Sequence, residues 1–236
     1  MVSAASLITC GDVLRVQRWT YPIEYARSYN MQKNVRAQRL AGTVPDTLLL
    51  FEHTPTFTAG KSGKLDNLLI PVEELRDRGI ALFFIDRGGD FTYHGPGQLV
   101  AYPIFDLKIH GKDIPKYIHN LEEVVSRTLA DFAIEAGRDE KHIGVWVGKE
   151  KIAAIGVSIH RWVTMHGLAL NVNTNMEHFS YINPCGITDK GVTSMERLLW
   201  CEVSLDDVAA RLIEHFQHVF NFAAGRVYKD IDRCEL

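Results

Sequence analysis

Apolar residues recur along this chain with two different periods, and the two periods divide it into elements. Ile114, Tyr117, Ile118, Leu121, Val124, Val125, Leu129 and Phe132 fall on one stripe of a 3.6-residue helix, which Gly137 closes. Leu205, Val208, Ala209, Leu212, Ile213, Phe216, Val219 and Phe220 form a second stripe, introduced by Ser204 with Asp207 as a capping signal. The spacing predicts a further helix over 23–40 and a shorter one over 72–77, stopped by Gly79. Strand-like runs occupy 13–19, 47–53, 81–86, 98–106, 144–147, 151–159 and 167–172, with Gly148-Lys149-Glu150 as a tight turn. Strands in hairpin succession with helices between groups predict an α+β fold with a mixed, largely antiparallel sheet, not a regular βαβ alternation. The helices are expected on one face of that sheet, leaving the other face partly open for a site. The chain reads as a single domain over 1–236, with a small C-terminal helical subdomain from about 204.

Composition excludes several classes. At 46 % hydrophobic and 23 % charged residues the chain has the make-up of an ordinary soluble protein, and no apolar run approaches a membrane span. The first ten residues have neither the basic start nor the apolar core of a signal peptide. Cys10, Cys185, Cys201 and Cys234 are scattered without a C-x-x-C pair, which argues against a zinc ribbon or disulfide framework and for a reducing, cytoplasmic setting. His215 and His218 lie one helical turn apart without a third ligand, so no metal site is expected. A formal net charge of −3 argues against a nucleic-acid binder. The charge is uneven, however: Arg15, Arg18, Arg27, Lys33, Arg36 and Arg39 face a lone Glu24. That stretch is either a solvated helix face or a docking surface for an acidic partner or anionic cofactor.

Three constellations carry candidate chemistry. Cys185 lies between Pro184 and Gly186 in a polar loop, where the backbone is bent and open. A thiolate nucleophile needs that access and a nearby cation. The second constellation is Arg87-Gly88-Gly89-Asp90-Phe91-Thr92-Tyr93-His94-Gly95-Pro96-Gly97-Gln98. Its glycines permit close approach of backbone to a ligand, and it matches neither a P-loop nor a dinucleotide fingerprint. His94 is a candidate acid/base or hydrogen-bond anchor. The third is Lys151, opening an apolar strand. It is a strand-end residue reaching solvent, or a partly desolvated ammonium that stabilises a thiolate and relays protons. Ala153, Ala154 and Gly156, and the run His166-Gly167-Leu168-Ala169-Leu170-Asn171, leave room for a substrate chain.

The ordered motifs R-G-G-x-x-T-Y-H-G-P-G-Q, K-I-A-A-I-G-V, H-G-L-A-L-N-V and I-N-P-C-G-I resemble the octanoyl-[acyl-carrier-protein]:protein N-octanoyltransferase family of lipoate biosynthesis. So does the stretch 51–60, with E-H-x-x-x-F-T-x-G. The resemblance implies the catalytic-domain fold of biotin and lipoate protein ligases. It implies an ATP-independent acyltransferase that moves octanoate from acyl carrier protein to a lysine of lipoyl domains, those of 2-oxoacid dehydrogenases and the glycine-cleavage carrier. It carries the nucleophile onto Cys185 and a pKa-lowering lysine onto Lys151. It carries substrate-binding backbone onto Arg87, Gly88, Gly89, Asp90, Phe91, Thr92, Tyr93 and His94, onto Ala154, Ile155 and Gly156, and onto Gly167, Leu168 and Ala169. His166 takes a supporting role. No cofactor, nucleic acid or membrane is implied, and a monomer is the default. The alternatives are an ATP-dependent lipoate or octanoate ligase, and an amidotransferase acting between lipoyl domains.

Overall fold

The computed structural model describes residues 13–183 and 190–230. Its main sheet runs β12 (Ala224–Lys229), β1 (Val13–Ile23), β2 (Thr47–His53), β6 (Gln98–Ile104), β10 (Val163–Asn171), β9 (Glu150–His160), β8 (Val145–Val147) and β7 (Gly137–Arg138), with β11 (Gly191–Val192) beside β9. A smaller sheet runs β4 (Ala81–Phe84), β3 (Thr56–Ala59) and β5 (Phe91–His94). The β12–β1, β1–β2, β9–β11 and β3–β4 pairs are parallel, and the other ladders are antiparallel. The expected α+β, mixed and largely antiparallel architecture is what forms.

Alternation within the strands sorts the core into two layers. In β2, Leu48 and Leu50 join a cluster with α3 (Ile114–Ala130) and α5 (Leu205–Phe220), while Leu49 and Phe51 join one with α1 (Tyr25–Leu40). Each fully buried side chain of this kind is worth roughly 1.5–3 kcal/mol. The helices therefore do not share one face, as the pattern suggested. α1 covers the face opposite α3 and α5, because the apolar run 48–51 of β2 is buried on both sides and requires two covering layers.

Local signals explain where elements begin and end. Asp113 caps α3 by accepting from the Lys116 N–H at 2.9 Å, and Pro115 occupies the first turn. Ser204 caps α5 by accepting from the Asp207 N–H at 3.2 Å, and Asn221 ends it at φ +57°. α2 (Val72–Asp77) forms where predicted. α1 starts at Tyr25, not at Ile23, because the Ile23 carbonyl accepts from His53 Nδ1–H (2.9 Å) and the Thr54 N–H (3.3 Å) and so belongs to the sheet. The Gly148 turn joins Val147 to Glu150, with Glu150 already paired in β9. The strands β3, β5 and β12 had no counterpart in the sequence reading. α5 contributes Val208, Ala209, Leu212 and Phe216 to the same cluster as α3 and the sheet.

Candidate active site

β8 pairs with β9 only over Glu150–Ala153, so among the described residues the remaining half of β9 has no neighbouring strand of the sheet on that side. The glycine-rich loop fills part of this gap, with the Gly88 N–H donating to the Val157 carbonyl at 3.0 Å. A cavity of about 470 Å³ lies here, bounded by that loop, by β9 and β10, by the first turns of α3 and by 141–143. Its walls include Arg87, Gly88, Gly89, Phe91, Thr92 and His94, the backbone-rich Ala154, Ile155 and Gly156, and Gly167, Leu168 and Ala169. Lys151 and His166 also line it. The predicted positions Asp90 and Tyr93 face elsewhere. The Asp90 carboxylate accepts from the Asn67 amide and from the Phe91 N–H (2.8 Å), while Tyr93 packs against Phe57, His178 and Phe179.

Two glycines owe their identity partly to the protein itself. A Cβ on Gly156 would stand 3.0 Å from Arg87 Cδ and from the Gly88 carbonyl, so a side chain there would crowd the arginine loop where it crosses β9. A Cβ on Gly167 would meet the Ala101 carbonyl oxygen at 2.3 Å, which forbids any side chain against β6. Ala153, expected beside the substrate, points instead into the core cluster under α3. Arg87 is buried and ties the loop to β3, donating from Nη2 to the Thr58 carbonyl (2.8 Å) and to Thr58 Oγ1 (2.9 Å).

His94 is the first member of a buried polar chain. Gln98 Nε2 donates to the Tyr93 carbonyl (3.0 Å) and to Asn171 Oδ1 (2.9 Å), and Asn171 Nδ2 donates to the Thr193 carbonyl (3.0 Å). Carbonyls accept only, so both amide orientations are determined. Gln98 Oε1 therefore accepts from His94 Nδ1–H at 2.8 Å, which leaves Nε2 with its lone pair toward Thr58 Oγ1 at 3.4 Å. Burial, with the neighbouring His53, holds His94 well below the usual histidine range, so the ring is neutral. His53 is neutral for the same reason, pushed down to about 4 by burial, with Nδ1–H on the Ile23 carbonyl and Nε2 accepting from Tyr102 Oη at 3.1 Å.

His166 reaches the cavity by a backbone distortion, with φ +60° inside β10. Its N–H donates to Gln32 Oε1 (2.9 Å), and Nε2–H donates to Asp86 Oδ1 (3.0 Å). The hydrogen bond from His166, and another from Ser158 at 2.9 Å, hold the Asp86 carboxyl well below the usual carboxylate range. Burial lowers the His166 pKa, and the Asp86 partner opposes that shift. Gln98 and Asn171, which stand in two of the sequence motifs, complete this environment together with Tyr25, Tyr102 and Asp86, to which the sequence reading gave no part in the site.

Lys151 is half-buried, with Nζ 4.8 Å from the centre of the Trp146 ring. Its carbonyl accepts from the Thr193 N–H at 3.0 Å, and β11 pairs Val192 with Lys151 directly. Cys185 lies outside the described residues. The flanking chain is described: the Asn183 N–H donates to the Asn67 carbonyl (2.8 Å), and Phe179 and Val192, on either side of 184–189, both line the cavity.

The basic stretch is not one docking face. Arg15 lies over the Tyr228 ring at 5.8 Å, Arg18 is ion-paired with Asp206, and Arg39 is paired at 2.6 Å with the fully buried Asp46. These three charges are committed within the fold. Lys33 stands 4.7 Å over Tyr29, near the His166 end of the site. No helix among the described residues is long and apolar enough to cross a membrane.

Residues 24–217 match the family profile of the lipoyl protein ligase A/B catalytic domain. An octanoyltransferase of Caldicellulosiruptor saccharolyticus is 52 % identical over 84 % of this chain and 85 % of its own length. That of Desulforamulus reducens is 46 % identical over 85 % of this chain and 88 % of its own. Among solved structures, a lipoate-protein ligase A bound with ATP matches with a TM-score of 0.70 at 16 % identity, covering 94 % of this chain and 90 % of that one. A lipoate protein ligase from Thermoplasma acidophilum with bound lipoic acid matches with a TM-score of 0.67 at 16 % identity, over the same shares. The structural matches establish the common fold; the sequence relatives and the domain profile together place this chain in the octanoyltransferase family of lipoyl protein ligase A/B catalytic domains.

Proposed function

We propose that this chain transfers an octanoyl group from the thioester of an acyl carrier protein to a lysine amine of a lipoyl domain, through a thioester on Cys185. Family membership supports octanoyl transfer in protein lipoylation. The observation that carries the cysteine route is the placement of Phe179 and Val192, which bring both flanks of 184–189 to the cavity that Lys151 lines. In the first step Lys151 as an ammonium favours the Cys185 thiolate, which attacks the thioester carbonyl. The C–S bond to the carrier breaks, and the leaving thiolate takes a proton from Lys151. In the second step the acceptor amine attacks the new thioester, its proton returns to Lys151, and Cys185 leaves as thiolate. A thioester becomes an amide, so no ATP is required. The octanoyl chain finds apolar contacts at Ile118, Ile155 and Leu168. Burying its seven apolar carbons is worth roughly 5 kcal/mol before binding costs.

Intact mass after incubation with octanoyl carrier protein tests the reading. One added octanoyl group, mapped to Cys185 and discharged by a lipoyl domain, is expected; Cys185→Ala should show neither. Transfer by Cys185→Ala at the wild-type rate, or a requirement for free octanoate with ATP, would overturn it.

A further inference from the structure

Lys151 shares an aromatic ring with a second lysine. The centre of the Trp146 indole is 4.8 Å from Lys151 Nζ and 4.7 Å from Lys190 Nζ, both within cation–π reach. Trp146 is buried, and its indole N–H donates to the His142 carbonyl at 3.2 Å, which fixes the ring's rotation. Lys190 is ion-paired with Asp139. The Asp139 carboxylate also accepts from the Lys141 and His142 N–H groups at 3.0 Å each, so ring and ion pair hang from one turn. Gly144 completes the arrangement. At φ +134° it carries no Cβ, and one built there would stand 2.7 Å from the Ala153 carbonyl and 3.2 Å from Lys151 Cε. The lysine stem therefore passes along a wall that only glycine leaves open.

We propose that Trp146 is a positioning residue for the Lys151 amine, and that the Lys190–Asp139 pair braces the same ring. The inference rests on the assignment of Lys151 as the proton carrier in acyl transfer. A lysine stem has several rotors and does not hold its own head in place. The indole face attracts the ammonium electrostatically and keeps dispersion contact with the neutral amine, so the head stays at the cavity wall in both protonation states. Other charged groups stand around it. Lys141 and His142 line the same cavity. Glu122, on α3, accepts from the Gly144 N–H (3.2 Å) and from Arg138 (3.1 Å). Glu150 precedes Lys151 on β9 and pairs with Gly191. Lys190 adds a like charge whose field Asp139 offsets.

The test is the pH profile of kcat/KM with a small octanoyl thioester, measured for Trp146→Leu, Trp146→Phe, Asp139→Asn and Lys151→Ala. Removing the ring disfavours the ammonium, so Trp146→Leu should lower the alkaline limb by about 0.4–1.5 pH units and kcat/KM at neutral pH by roughly 2–30-fold. Trp146→Phe keeps an aromatic face and should restore at least half of that loss. Asp139→Asn leaves Lys190 unopposed and should move the same limb downward. Unmoved limbs in Trp146→Leu and Asp139→Asn, with unchanged melting, overturn the inference. If Trp146→Leu does not fold, an unmoved limb in Asp139→Asn does so. Lys151→Ala separates the two claims. Full activity there removes the proton-carrier assignment itself, whereas loss there with unmoved limbs elsewhere refutes only the role of Trp146.

Discussion

Replacing Gln98 by leucine removes the centre of the polar chain behind the cavity while keeping similar bulk. Gln98 is fully buried and makes three hydrogen bonds, donating to the Tyr93 carbonyl and Asn171 Oδ1 and accepting from His94 Nδ1–H. Leucine leaves all three partners buried without a mate, and each orphaned group costs about 1–3 kcal/mol. The extra apolar burial of leucine returns about 1–2 kcal/mol. The three orphaned groups together cost about 3–9 kcal/mol, so the net loss is about 1–8 kcal/mol, against the roughly 5–15 kcal/mol that holds a domain of this size. Urea unfolding followed by far-UV circular dichroism should show the midpoint falling with an unchanged slope. Gln98→Glu provides an internal control. A carboxylate turns an acceptor toward the Tyr93 carbonyl unless protonated, so its deficit should grow as pH rises through the carboxyl range. A Gln98→Leu protein within 0.5 kcal/mol of wild type would refute the hydrogen-bond accounting, and with it the assigned neutral tautomer of His94.

Other consequences follow from the same geometry. His53 is held down to about 4 in the folded chain against 6.5 when free, so the unfolded chain binds the extra proton between those values. Stability should thus fall as pH drops from about 6.5 to 4, by on the order of 3 kcal/mol from this residue, and His94 adds to the same trend. Denaturant midpoints across that range, flat in wild type, would contradict this. Arg39→Glu sets a carboxylate against the buried Asp46 and should cost about 3–5 kcal/mol, whereas Arg36→Glu should leave the melting temperature unchanged. Equal melting of the two variants would show that Arg39 is not structurally committed. The turn between β9 and β10 holds Arg161 and Trp162 at φ +49° and +71°, a conformation that Asn-Gly adopts at lower cost. Substituting Asn-Gly there should stabilise the chain by about 1–2 kcal/mol in thermal unfolding, and no gain would mean that other contacts pay for the strain.

The legible parts of the fold are those whose burial is one-sided. α3 and α5 each bury a single stripe, so their apolar period is clean, and the Ser204 cap of α5 is an ordinary side-chain acceptor. α1 was legible as a helix, but not its placement. Its buried stripe includes Ser28, whose hydroxyl donates to the Tyr25 carbonyl within the helix, and Gln32, which accepts from the His166 N–H. The small strands β3 and β5 are four residues each and are stabilised by each other and by the Arg87 bond to Thr58, none of which is local in sequence. β12 reads as polar, and it pairs with β1 from the opposite end of the chain. Within the site, the glycine-rich loop and the small-residue strands stood out because close backbone approach demands unusual residues. Tyr25, Tyr102 and Asp86 did not, since each lies in or beside an element whose pattern looks unexceptional.

The place of Lys151 at the start of β9 follows from the strand pairings around it. β10 leaves β9 at the Leu170–Ala153 pair, and β11 takes over its side at Glu150 and Lys151. On the other side the β8 register slips between Val145 and Trp146. That slip lets consecutive residues Ile152 and Ala153 both enter the core cluster, where regular alternation would send only one. Lys151 thus stands at a break in the pleat, with its backbone paired on both sides and its side chain at the cavity. A lysine one strand-turn further along, among Ala154 to Gly156, would meet Arg87 and the Gly88 carbonyl instead. The sheet supplies a rigid base, the register slip supplies direction, and the chain that carries Lys190 and Val192 is tied to Lys149, Glu150 and Lys151.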